Sequence, residues 1–312
     1  MNVFRLHIRP KGGLADPVFS FAYCLEEEVL GVGWQVPVRD GTRLTWETYL
    51  QLAIEEHGAE NLSRVRYLHD NVKPGDLIWT RDTGGRYYLA KVEVPRDVIG
   101  QTDSAWEYFD TPRGRDADIV NVVRCRIVPV PQADDIPGKI VACFRPSRTI
   151  QAVSDSTTLL YSQMLWNQLA GLPYQSSSNS APLDIFSFLD AETTEDVVFI
   201  YLQYQGWIVV PNSRRADTMR YEFVAIHRET YDRALVQVKT GSTPLAMNVW
   251  SGFREKVFLF QSHGIYTGEA TPNVFPISPT TIHAFMSEHI DVMPRSVQRW
   301  IGYAKSIAQP HQ

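Results

Sequence analysis

Four side chains between Thr193 and Gly241 have types and spacing that can do chemistry. Gln237 and Lys239 stand two apart in RALVQVKTG (233–241). On a strand such a pair faces one side. Glu222 lies in MRYEFVAIHR (219–228), a run that pairs with 233–241 as a hairpin across 228–233. Glu195 precedes both, on a segment with helical spacing. An acid, an amide and a lysine at one sheet edge form a set for metal and phosphate. Hard dications take carboxylate and amide oxygens and usually keep several waters. A bound dication neutralises developing charge and acidifies its water. A neighbouring lysine orients that water or holds the phosphate.

The frame for these residues reads helix, strand, strand, strand. The helix from Thr194 carries Val197, Val198, Ile200, Tyr201 and Leu202 and stops at Gly206. Trp207-Ile208-Val209-Val210 follows as a buried strand, and 256–261 (KVFLFQ) is another. Helices are expected at 279–290, with Pro279 near the start, and at 295–308.

This order resembles the PD-(D/E)XK nuclease superfamily, in its Mrr-like, modification-dependent restriction branch. The resemblance spans about 193–262 and rests on Glu195, on Glu222 in YEFVA, and on Gln237-Val238-Lys239. It implies Glu222 as the main ligand of Mg2+ or Mn2+ and Gln237 as a neutral oxygen ligand. Lys239 then serves water and phosphate, and Glu195 binds through water or orients Lys239. Two positions depart from the family pattern: Glu222 stands where Asp is usual, and Gln237 where an acid is usual. The site therefore has one negative charge fewer, although Gln-x-Lys is a variant of that branch. Asp217, five residues before Glu222, is the alternative metal acid. Arg214, Arg215, Arg220 and Arg228 flank the core as candidate DNA-backbone contacts, with Ser242 and Thr243 beside them.

Upstream, the chain reads as short strands with turns: 1–12, 19–24 (FSFAYC), 29–36 (VLGVGWQV), a hairpin over 76–94, 119–130, and a strand with a turn in 138–152. Helices are expected at 45–57, capped by Thr45, and at 157–170, ended by Gly171. EVLGVGWQV with Gly31, Gly33 and Trp34, then KPGDLIW and the hairpin to Val94, resemble the PUA-like superfamily and its EVE-type domains. Such domains bind RNA or modified DNA bases. A base drawn out of a duplex needs aromatic walls and polar groups at its edge. Trp34, Trp79, Trp106, Tyr108 and Phe109 are the candidate walls. Asp82, Asp110 and Asn121 are the candidate readers. The polar segment 103–118 is expected as a loop lining the site. Arg113, Arg115, Arg124 and Arg126 form the nearest basic cluster.

The expected fold class is thus an α+β small PUA-like barrel followed by an α/β PD-(D/E)XK nuclease core, a central mixed sheet flanked by helices. The expected domains are 1–152 for base reading, 153–190 as helix and linker, with PYQSSSNSAP (173–182) its most linker-like part, and 191–312 for cutting. The 312 residues suit two domains, and 44% hydrophobic content suits sizeable cores. The net charge of −5 falls on 1–190, because 191–312 is balanced, so a polybasic coat is excluded but a local basic groove is not. Cys24, Cys125 and Cys143 share no ligand spacing, and the histidines do not cluster, which excludes a zinc site. No Gly-Lys-Ser/Thr follows a Gly-Gly, so no nucleotide triphosphate is expected. Neither a signal peptide nor a membrane span is expected, which implies a cytoplasmic protein. The function these features imply is a modification-dependent DNA endonuclease acting as a homodimer on DNA with modified bases. The alternative is an RNA- or DNA-binding protein with a nuclease core that no longer cuts.

Overall fold

The computed structural model describes residues 1–10, 15–39, 41–95, 104–144, 148–154, 156–172, 184–214, 220–269 and 271–308. It divides into two compact units, Met1–Ile136 with Ile140–Gln175, and Pro137–Lys139 with Ser176–Gln312. The expected linker at 173–182 lies outside the described residues.

The first unit holds strands β1 (Val3–Leu6), β2 (Val29–Val32), β3 (Leu77–Arg81), β4 (Tyr87–Val92), β5 (Trp106–Tyr108), β6 (Asn121–Pro129) and β7 (Ile150–Ala152). Its helices are α1 (Pro17–Glu26), α2 (Trp46–His57), α3 (Ser63–Asn71), α4 (Pro112–Asp116), α5 (Gly138–Cys143, whose first residues belong to the second unit) and α6 (Ser156–Leu169). One seven-stranded sheet runs β2-β6-β4-β3-β1-β7, with β5 also on β6. The sheet curls as a half-barrel, since residues from both of its ends line one cleft. The 76–94 hairpin is β3 against β4, with Leu77 paired to Lys91 and Arg81 to Tyr87. Thr45 caps α2, its hydroxyl accepting from the Thr48 N–H.

Three upstream expectations are corrected. Residues 19–24 are not a strand; they lie inside α1. Asp16 accepts from the Val18 N–H and Pro17 takes the first helical position, so a cap overrides the short apolar run. The buried side chains Ser20, Phe21, Tyr23 and Cys24 have helical spacing. In 138–152 the larger element is α5, and the strand shrinks to β7. The segment 103–118 is not a loop: it contributes β5 and then α4, started by the Thr111 hydroxyl on the Gly114 N–H.

The second unit holds α7 (Ala191–Tyr204), β8 (Trp207–Val209), β9 (Phe223–His227), β10 (Arg233–Lys239), β11 (Leu245–Ala246), β12 (Lys256–Gln261), β13 (Tyr266–Thr267), β14 (Val274–Ile277), α8 (Pro279–Glu288) and α9 (Arg295–Ala308). Its mixed five-stranded sheet runs β14-β12-β10-β9-β8, with β10, β12 and β14 parallel and β9 antiparallel to both neighbours. A two-stranded parallel pair, β11 with β13, stands beside it. β10 is the middle strand, and helix α7 packs on it. That position explains its unbroken buried run from Ala234 to Val238, since a central strand is covered on both faces. Asp190 caps α7, its carboxylate accepting from the Thr193 N–H, and Gly206 beyond it has φ +86°, a left-handed turn that favours glycine. Among the described residues the chain is therefore a mixed α+β protein with two large sheets and one short parallel pair. Among the described residues no helix is long and apolar enough to cross a membrane.

Candidate functional site

The polar set of the second unit forms where β9 begins, against β10. Val236 pairs with Phe223, and the Glu222 N–H donates to the Val236 oxygen at 2.8 Å. The ladder thus starts one residue before β9 and sets Glu222 directly across from Gln237. Opposed residues of an antiparallel pair share a face, and Lys239 shares it by its two-residue spacing. The Gln237 amide donates to Glu222 Oε1 at 2.5 Å and to the Val238 main-chain oxygen at 3.0 Å. Lys239 Nζ lies 3.7 Å from the same Glu222 oxygen. Gln237 is buried, while the side chains of Glu222 and Lys239 are 25% and 46% exposed. The structure therefore brings Glu222, Gln237 and Lys239 together. Glu195 is half-buried on α7, at the edge of the stripe formed by Thr194, Val197, Val198 and Leu202.

Sequence reasoning missed Gln261, the fully buried partner of Lys239 on β12. Its amide donates to the Gly241 oxygen at 2.7 Å and the Thr243 oxygen at 3.2 Å. Its oxygen accepts from the His263 and Ile265 N–H groups. One side chain thus ties the turn after Lys239 to the turn after β12. The available signal was an amide at the end of the apolar run KVFLFQ.

Of the flanking groups, Arg220 is exposed and Arg228 lies 3.6 Å from Glu229, both on the surface. Arg215 and Asp217 lie outside the described residues, as does the side chain of Arg214. Among the described residues no group of three or more His, Cys, Asp or Glu side chains is placed to hold a metal ion. What does converge is a carboxylate oxygen, a main-chain oxygen and an amide. The amide N–H sits between the two oxygens. Turning the amide end for end brings a third oxygen toward the same point. That donor set fits a hard dication that keeps waters, with a single formal charge to hold it.

In the first unit a cleft of about 600 Å³ is lined by Gly31, Gly33, Trp34, Arg64 and Asp118, with Arg9 and Thr149 opposite. Trp34 and Asp118 both have positive φ, +64° and +55°. Non-glycine residues held there cost roughly 1–3 kcal/mol each and cluster at functional sites. Gly33, beside Trp34, leaves the room that the Asp118 carboxylate fills, since an added Cβ would strike it. The Arg64 guanidinium stands 5.9 Å from the Trp34 ring centre.

Behind the cleft is a buried polar network. Asn121 accepts from Trp106 Nε1 at 3.0 Å, and its amide donates to the Gly33 oxygen and to the Tyr49 hydroxyl. The Tyr49 hydroxyl donates to the Trp34 oxygen at 3.0 Å, and burial pushes the Tyr49 phenol well above its ordinary value. The Tyr108 hydroxyl accepts from the Val36 N–H, and burial pushes that phenol up to about 12. Trp106 and Tyr108, expected as walls, and Asn121, expected as a reader, are buried here as supports of the Trp34 segment.

Trp79 is fully buried, donating to the Ser162 hydroxyl at 2.9 Å, and is corrected from wall to core. Asp82 closes the β3–β4 turn through Arg86, with bonds at 2.9 Å to its N–H and 2.7 Å to its guanidinium. Asp110 is buried and paired with Arg115 at 2.8 Å. Arg113 pairs with Glu26, Arg124 with Glu107, and Phe109 lies under Arg124, so the supposed basic cluster is largely neutralised. The cleft residues missed from sequence are Arg9, His57, Arg64 and Asp118. They come from four separate segments, and only the curl of the sheet gathers them.

No family model matches the chain, and no curated protein matches it. Among solved structures, the DNA modification-dependent restriction endonuclease AspBHI aligns with 90% of this chain and 81% of its own length, at 12% identity and a TM-score of 0.20. Overlap that low carries neither fold nor function.

Proposed function

We propose that the chain is a modification-dependent DNA endonuclease, with a PUA-like reader in 1–152 and a PD-(D/E)XK-type cutter in 191–312. The observation that carries this reading is the convergence of Glu222, Gln237, Lys239 and the Val238 carbonyl at the end of the central strand β10. The α7–β8–β9–β10 order that frames them supports it.

Glu222, the Val238 oxygen and the turned Gln237 amide would hold Mg2+ or Mn2+, which when bound supplies charge neutralisation and an acidified water. Lys239, half-exposed beside the carboxylate, holds the scissile phosphate and keeps a positive charge where the oxyanion develops. Gln261 fixes the turn that follows Lys239, so the lysine is presented from a rigid strand end. In the reader, Trp34 offers a ring on which an extruded base stacks at the cleft. Two copies of the chain would supply the two cuts that a duplex needs.

The test is cleavage of DNA carrying modified cytosine, beside plain DNA, with Mg2+ present. Cutting of neither, with Lys239→Ala no different from the parent, rejects the reading. One observation favours the alternative of a binding protein with a silent core. The Gln237 N–H already satisfies both oxygens that a cation needs. Titration of Mn2+ by calorimetry separates the two, because a silent core shows no binding that depends on Glu222.

A further inference from the structure

The cleft beside Trp34 is larger and more polar than a bare base requires. Its volume of about 600 Å³ falls in the range that takes a drug-sized ligand. A pyrimidine ring with a methyl group fills only a fraction of that space. A methyl group also makes no hydrogen bond, so a site that reads one needs a close apolar wall. Next to Trp34 this cleft is instead lined by Gln35, His57 and Arg64.

These three side chains form one polar wall, and its chemistry is specific. Gln35 follows Trp34 in the chain and is exposed. His57 is the last residue of α2, and its Nε2 bonds the Gln35 main-chain oxygen at 2.7 Å. A carbonyl only accepts, so Nε2 donates, and Nδ1 of the neutral ring is left as an acceptor. Arg64, exposed on α3, brings its guanidinium to 5.9 Å from the Trp34 ring centre. A guanidinium offers N–H donors in a fixed fork and accepts nothing. Acceptor and donor thus stand side by side. A hydroxyl group both donates and accepts. Neighbouring hydroxyls of a sugar therefore match this wall, one donating to Nδ1 and another accepting from the guanidinium. The wall is also held in place, because the Tyr49 hydroxyl pins the Trp34 oxygen at 3.0 Å.

We propose that the cleft takes a base bearing a sugar-sized, hydroxyl-rich substituent, with the base on Trp34 and the substituent against Gln35, His57 and Arg64. The proposal rests on the reader half of the function above and names its substrate class. Such a substituent fills the space that a bare base leaves to water. The wall is open to solvent, so each hydrogen bond to it adds about 2- to 10-fold in affinity.

The test uses the full chain in a metal chelator, so that no strand is cut, and fluorescent duplexes that differ at one base. That base is cytosine, 5-methylcytosine, 5-hydroxymethylcytosine or glucosylated 5-hydroxymethylcytosine. Anisotropy gives each affinity. The glucosylated duplex is expected to bind at least about 10-fold more tightly than the hydroxymethylated one, as two added hydrogen bonds imply. Arg64→Met and His57→Phe keep bulk and remove the hydrogen-bonding atoms. Each is expected to narrow that ratio by about 2- to 10-fold, and the double variant to close it. The two duplexes share every phosphate, so the ratio isolates the substituent. A ratio that ignores Arg64→Met, a substitution at an exposed position, overturns the proposal. A methylated duplex bound as tightly as the glucosylated one also overturns it and leaves the reader standing. Equal affinity for all the duplexes overturns both the proposal and the reader. None of these outcomes depends on whether the second unit cuts.

Discussion

Gln237 stands directly across from Glu222 on neighbouring strands, and its amide donates to that carboxylate at 2.5 Å. The pair is the point where the candidate site departs from two facing acids. In Gln237→Glu, like charges oppose each other, at a cost of roughly 0.2–1 kcal/mol. Melting in a chelator is therefore expected to fall by about 1–4 °C, and to rise above the parent once Mn2+ is added. A melting temperature that ignores Mn2+ contradicts the cation site.

Lys239→Ala is expected to leave the fold intact and to lower cleavage by at least about 100-fold. The lysine is half-exposed and 3.7 Å from Glu222, so its pairing contributes no more than about 1 kcal/mol of stability. Single-turnover cleavage and urea unfolding of the same preparation check both halves. A loss of activity that tracks a loss of stability would count against a role at the phosphate.

Asn121→Ala removes the acceptor of the buried Trp106 N–H and the donor to the Gly33 oxygen and the Tyr49 hydroxyl. Leaving buried polar groups unpaired costs roughly 1–3 kcal/mol, and the expected loss is at the upper end. Denaturant unfolding of the first unit reads it. Trp79→Phe, by contrast, leaves the Ser162 hydroxyl bonded to the Thr158 oxygen but opens a cavity at a fully buried ring, and is expected to cost about 1–3 kcal/mol with no change in DNA binding.

Stability is expected to depend on pH through His7. Its pKa is lower in the folded chain, about 4, than the ordinary value near 6.5. Between those values the unfolded chain binds the proton and the folded one does not, so stability falls as pH falls across that window. His7→Asn is expected to flatten that slope. Urea midpoints from pH 7 to pH 4 measure it, and an unchanged slope would place the titrating group elsewhere.

The frame of the second unit was legible because its signals are local. A strand pairing across 228–233 and a two-residue spacing are enough to set Glu222, Gln237 and Lys239 on one face. Gln261 escaped because its role depends on β12 lying parallel to β10, a long-range pairing that spacing does not announce. The first unit was less legible. FSFAYC has no strand alternation that differs from one helical face, and the decisive Asp16-Pro17 cap precedes it. Rings such as Trp79 and Trp106 carry the same letter whether they wall a cleft or fill a core; only burial separates them. The charged groups of the cleft, Arg9, Arg64 and Asp118, lie far apart in the chain and line one cavity only in the folded unit.

The most direct test is the single-turnover rate of cleavage of one plasmid prepared with and without modified cytosine, with Mg2+ and with chelator. The expected result is cutting of the modified plasmid alone, only with Mg2+, and its loss in Glu222→Gln and Lys239→Ala. Equal cutting of both plasmids, or cutting by Lys239→Ala at the parent rate, would contradict it.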